Sequence, residues 1–127
     1  MIANRPIQEK RKDPRLVKNI PIKIFLEEGD IMTETGNISR SGAYCRVNRH
    51  IEPMTKFKVN LLLPVRKNGK NSTKRISCQG VVVRTEAVPG EDSFRIAIFF
   101  NDIAQRNAEI IADYVSSNLE QEANQQG

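Results

Sequence analysis

The chain has 127 residues, 39% hydrophobic and 28% charged, with a net charge of +5. That length suits one domain around one core, no apolar run approaches the ~20 residues of a membrane-spanning helix, and the basic leader lacks the apolar segment of a signal peptide, so a cytoplasmic protein is expected. The positive balance points to anionic partners without choosing among nucleotide, nucleic acid and membrane surface.

Residues 1–18 are polar, basic and without periodicity, and read as a flexible arm ordered only by contacts it makes elsewhere. From Ile20 the pattern changes: Ile20, Ile22, Ile24 and Leu26 alternate with Pro21, Lys23 and Phe25, the period of a strand with one buried face. Pro21, which has no amide donor, belongs at that strand's start or at an unpaired position. Glu28-Gly29-Asp30 signals a turn into a second strand, about Ile31 to Thr35. Turn-forming residues then interrupt the alternation as far as Gly42, and a third strand follows with Ala43, Cys45 and Val47 on one face.

Residues 57–63 predict a fourth strand with Phe57, Val59, Leu61 and Leu63 inward, ended by Pro64. The polar run from Val65 to Arg75 reads as a long connection in which Asn68-Gly69 supplies the positive φ angles of a reversal. A fifth strand is expected over about 75–85, with Gly80 marking a bulge or tight bend. A sixth carries Phe94, Ile96, Ile98 and Phe100 on one face. Asn101 or Asp102 is placed to cap a helix whose Ile103, Ile110, Ile111, Tyr114, Val115 and Leu119 form an apolar stripe against the strands. The expected organisation is an arm at 1–18, an all-β antiparallel barrel of six strands with a C-terminal helix at 19–119, and a disordered tail at 120–127.

Few residues suggest chemistry. Cys45 and Cys78 lie in strand-like runs rather than in a C-x-x-C pair and read as buried thiols. His50 lacks companions for a metal or catalytic site and is read as a surface residue. Without a paired acid and base, an activated nucleophile, a metal cluster or a phosphate-cradling glycine loop, no enzyme, catalytic residue, metal or cofactor is expected.

Two motifs carry the inference, in this order: Arg11-Lys12-Asp13-Pro14-Arg15, an R-x-x-x-R, and Asn37-Ile38-Ser39-Arg40-Ser41-Gly42, a [DN]-x-S-x-x-G. With six strands and a terminal helix they resemble the PilZ family, over nearly the whole chain. The R-x-x-x-R alone is expected by chance in so basic a sequence; the second motif, placed between the second and third strands, is the more specific. The resemblance implies a bacterial receptor for cyclic di-GMP. Arg11 and Arg15 would grip the ligand, because a guanidinium fork binds phosphate oxygens bidentately, reaches guanine O6 and N7, and stacks on a base. Asn37 and Ser39 would contact a guanine and Gly42 would shape the loop. Lys10 stands where the family often has a second arginine, so one molecule or a stacked pair both remain open.

The resemblance further implies a stand-alone adaptor whose arm folds over the ligand and signals to an effector protein in motility, biofilm and exopolysaccharide, or virulence control. Two alternatives stand beside it. One is a PilZ-like protein-interaction module without ligand, against which the intact motifs argue. The other is a small basic barrel for single-stranded nucleic acid, for which exposed aromatics are too scarce, Tyr44 and Phe25 being the main candidates. Lys67, Lys70, Lys74 and Arg75 are read as charges of a solvated loop, and neither nucleic acid nor membrane insertion is expected.

Overall fold

A computed structural model describes residues 13–126. Six antiparallel strands close on themselves in the order β1-β2-β3-β6-β5-β4. They are β1 (Pro21–Phe25), β2 (Ile31–Ile38), β3 (Gly42–Val47), β4 (Lys56–Lys67), β5 (Lys70–Ala87) and β6 (Phe94–Asp102), followed by helix α1 (Gln105–Gln126). The predicted class, six strands and one C-terminal helix, is the one observed. Pro21 begins its strand, as its missing donor requires.

Alternation fills the barrel. Ile22 and Ile24, Val59, Leu61 and Leu63, Ile76, Ile96 and Ile98 are all nearly or fully buried and belong to one apolar cluster. Each such aliphatic side chain contributes about 1.5–3 kcal/mol when it leaves water. Helix α1 lies over β4 and adds Ile111, Tyr114 and Val115 to the same cluster, with Ile110 and Leu119 packed at its margin. Gly80 sits where the β5–β6 register shifts, between Gln79 and Val81. A Cβ there would stand 2.7 Å from the Ile98 methyl, so the bulge needs glycine for space.

Several expectations change, the first being that β2 runs on through the expected turn residues to Ile38, where Asn37 pairs with Tyr44 of β3. The fourth strand does not end at Pro64: β4 and β5 stay paired to the turn, with Pro64 opposite Thr73 and Lys67 opposite Lys70. Counting back from the turn pair, Pro64 falls at a position whose missing amide faces away from β5, where β1 has already ended, so no ladder bond is lost. Asn68 and Gly69 take φ of 55° and 77° and form the whole connection. The fifth strand accordingly starts at Lys70.

Neither Asn101 nor Asp102 caps the helix, because Asp102 is still held in the β5–β6 ladder opposite Gln79. The first helical bond instead runs from the Ala108 amide to the Ala104 carbonyl, at 3.0 Å. The tail, expected to be disordered from residue 120, continues α1 to Gln126. Finally, residues 13–20 belong to the fold rather than to a loose arm: Leu16 is fully buried and forms an isolated bridge with Ile38.

Candidate functional site

The site is built where the leading segment meets the bend between β2 and β3. Leu16 and Ile38 exchange both backbone bonds, each 2.9 Å. Two and four residues further along the leading segment, the Thr35 hydroxyl donates to the Lys18 carbonyl at 2.7 Å and accepts from the Ile20 amide at 2.9 Å. Thr35 and Ser39 are the two buried polar residues among those described. Both anchor this segment, and both are internally satisfied, as burial demands.

Asp13 completes the anchoring. Its carboxylate accepts from the Ser41 hydroxyl at 2.5 Å, from the Ser39 hydroxyl at 3.2 Å and from the Ser41 amide at 3.3 Å. The Ser39 amide in turn donates to the Gly42 carbonyl at 2.8 Å, closing the bend. Ser39 is thus a buried brace whose hydroxyl faces Asp13. Gly42 pairs with Phe99 of β6, and a Cβ at Gly42 would lie 2.1 Å from the Ile98 carbonyl oxygen. A side chain would force β3 and β6 apart, so glycine is required by close approach and not by an unusual φ.

With the segment held, Arg15 reaches across 22 residues of sequence and donates from Nη1 to Asn37 Oδ1 at 2.8 Å. Its guanidinium also lies over the Tyr44 ring, 5.5 Å from the centroid. Arg84 of β5 lies over the same ring at 5.5 Å and donates to the Tyr44 hydroxyl. One aromatic ring therefore orients two exposed guanidiniums through cation–π contact.

Tyr44 also separates two clefts. One, of about 320 Å³, is lined by Arg15, Ser41, Gly42, Arg84, Val83 and Phe99; the other, of about 550 Å³, by Thr33, Gly36, Arg46 and Arg95 among others. Each offers an arginine edge and an apolar or aromatic wall, a combination suited to a planar, anionic ligand. Among the described residues no group of three or more His, Cys, Asp or Glu could hold a metal, and no helix is long and apolar enough to cross a membrane.

Of the residues singled out in the sequence, Arg15, Asn37, Ser39 and Gly42 come together here. Arg11 and Lys10 lie outside the described residues. Asp13, Ser41, Tyr44 and Arg84 were missed as site residues. Asp13 and Ser41 stood at variable positions inside the two motifs, and the hydroxyl of Ser41 was a usable signal. Arg84 had none, because it meets Tyr44 only through the pairing of β3, β6 and β5. Cys45 and Cys78 are buried and free. His50 is exposed, edge-on to Phe94 and 3.5 Å from Glu52.

Comparison with known proteins agrees with this fold. The family described as PilZ domain matches residues 9–117. Among solved structures, the Bacillus subtilis inhibitor of motility (MotI/DgrA) superimposes with a TM-score of 0.76 at 19% identity, over 87% of this chain and 52% of that one. The chain thus spans about half the length of that relative, and the likeness is one of fold. No curated protein matches the sequence.

Proposed function

This chain belongs to the PilZ domain family, and from that premise we propose that it is a cyclic di-GMP receptor that acts on a partner protein. The observation that carries the reading is the meeting of Arg15 and Asn37, one from each motif, at 2.8 Å beside Tyr44. Two residues whose chemistry suits phosphate and guanine stand together on one open face. Arg15 offers its fork to a phosphate or to guanine O6 and N7. Asn37 offers its amide group to a guanine edge. Ser39 and Gly42 serve the ligand by holding the bend on which Asn37 and Ser41 stand. Arg84 and the Tyr44 ring supply a second cation and a stacking surface within the same cleft.

Ligand entry competes with the Arg15–Asn37 bond, and that exchange is the proposed switch. Releasing or reorienting Arg15 changes the charge and shape of the face around Asn37 and Tyr44. A surface altered in this way is what a partner protein reads. Control of motility is the process suggested by the name of the solved relative.

Calorimetry with the purified full chain tests the reading. Cyclic di-GMP is expected to bind with a stoichiometry of one or two, and Arg15→Ala to abolish the heat signal while leaving the melting temperature unchanged. Undiminished binding by Arg15→Ala, or silence of the parent protein, overturns it.

A further inference from the structure

The β4–β5 hairpin outgrows the barrel. β1 pairs with β4 only as far as Leu61, and β6 pairs with β5 no earlier than Gln79. From Leu62–Arg75 to Lys67–Lys70 the two strands pair with each other alone. At ~3.4 Å per residue this stretch is roughly 20 Å long with its strands ~4.8 Å apart; its base still packs on the core through Leu63 and Val65, and its tip extends past the barrel.

Its charge is one-signed. Residues 62–75 hold Arg66, Lys67, Lys70, Lys74 and Arg75 and no acidic residue. None of these cations forms an ion pair among the described residues. Lys67 and Lys70 directly face one another across the ladder, an arrangement that costs stability. A type I′ turn needs Asn68-Gly69 but needs no lysine on either side, so folding does not account for the pair.

The charges lie on both faces. Leu63, which is buried, fixes the inward parity; Lys67, Lys70 and Lys74 share it, while Arg66 and Arg75 take the other. A flat acidic protein surface or a bilayer surface would meet one face and leave the other unmatched. A groove with a phosphate wall on each side meets both. The major groove of duplex DNA, ~12 Å wide, admits a two-stranded ribbon, and the small polar residues Asn71, Ser72 and Thr73 suit phosphate oxygens.

We propose that residues 62–75 form a basic ribbon that docks in a groove of duplex nucleic acid. The reading is independent of cyclic di-GMP binding, since no ribbon residue lines the site around Tyr44.

Fluorescence anisotropy of a labelled short DNA duplex, titrated with the full chain over a range of salt, tests it. Binding is expected to weaken steeply with salt, as release of condensed counterions requires. The double variant Lys67→Glu/Lys74→Glu is expected to bind at least about 10-fold more weakly, with a salt slope shallower by roughly 2. Because Lys67→Glu places opposite charges across the pair with Lys70, this variant should melt no lower than the parent. A control with the same change in net charge, Lys56→Glu/Arg106→Glu, is expected to retain binding. An equal loss in the control reduces the effect to net charge and overturns the proposal. So does a parent protein that ignores the duplex, or one that prefers polyglutamate or phosphatidylglycerol vesicles through the same lysines.

Discussion

Asp13 shows how a residue without motif status can decide the behaviour of its neighbours. It lies between Arg11 and Arg15 in sequence, yet its carboxylate turns away to three donors on Ser39 and Ser41. Those bonds, with the Leu16–Ile38 bridge, hold the backbone just before Arg15. A guanidinium on a placed backbone loses less entropy on binding than one on a free arm, so Asp13 acts as a positioning residue. Charge-assisted bonds of this kind are worth about 1.5–3 kcal/mol. Asp13→Ala is therefore expected to weaken cyclic di-GMP binding by roughly 10-fold or more in calorimetry. Deuterium uptake at the Leu16 and Ile38 amides should rise in the same variant, and a purely electrostatic role for Asp13 would leave that exchange untouched. At this scale Asn37, Ser39 and Gly42 were legible because motif spacing brings them into one bend. Arg84 was not, because 40 residues separate it from Tyr44 and only strand pairing joins them.

At the scale of elements, the helix start is the clearest departure from local reading. Asp102 is the better cap by chemistry, but the β6 ladder claims it, and the helix begins two residues on from an exposed alanine. Ala104 offers the first carbonyl and no side-chain oxygen for the free amides of the first turn, which also lacks an acidic residue. Ala104→Ser is accordingly expected to stabilise the protein by about 0.5–2 kcal/mol, read as a raised urea midpoint at unchanged m. The hairpin makes the same point differently. Its turn was legible in Asn68-Gly69, whereas the strands on either side were not, because Pro64 and a polar run imitate a loop when the register that tolerates them is unseen.

For the molecule as a whole, closure of the barrel decides which groups titrate. Burial pushes the Cys45 thiol up to about 12, and burial together with the nearby Asp102 charge pushes Cys78 up to about 11, both from an ordinary 9.0. A thiol that stays protonated in the fold but ionises in the unfolded chain stabilises the fold below pH 9. That contribution is lost as pH rises from about 9 toward 11 and 12. The urea midpoint is expected to fall over this window, and to fall less in Cys45→Ala/Cys78→Ala measured against its own value at pH 8. Equal pH dependence in both proteins would place the titrating groups elsewhere.

Alternation of apolar residues, paired turn formers and two short motifs determined the strand count, the terminal helix and the family, because each is a local property of consecutive residues. The sequence alone also located the two halves of the candidate site. Tertiary structure decided how those halves meet, with Asp13 as the clasp, Tyr44 as the shared stacking face and Arg84 as the second cation, and it carried the β4–β5 hairpin past the last barrel pairing. Each of these depends on register and closure, which set the distance between residues far apart in the chain, and no local pattern encodes that distance.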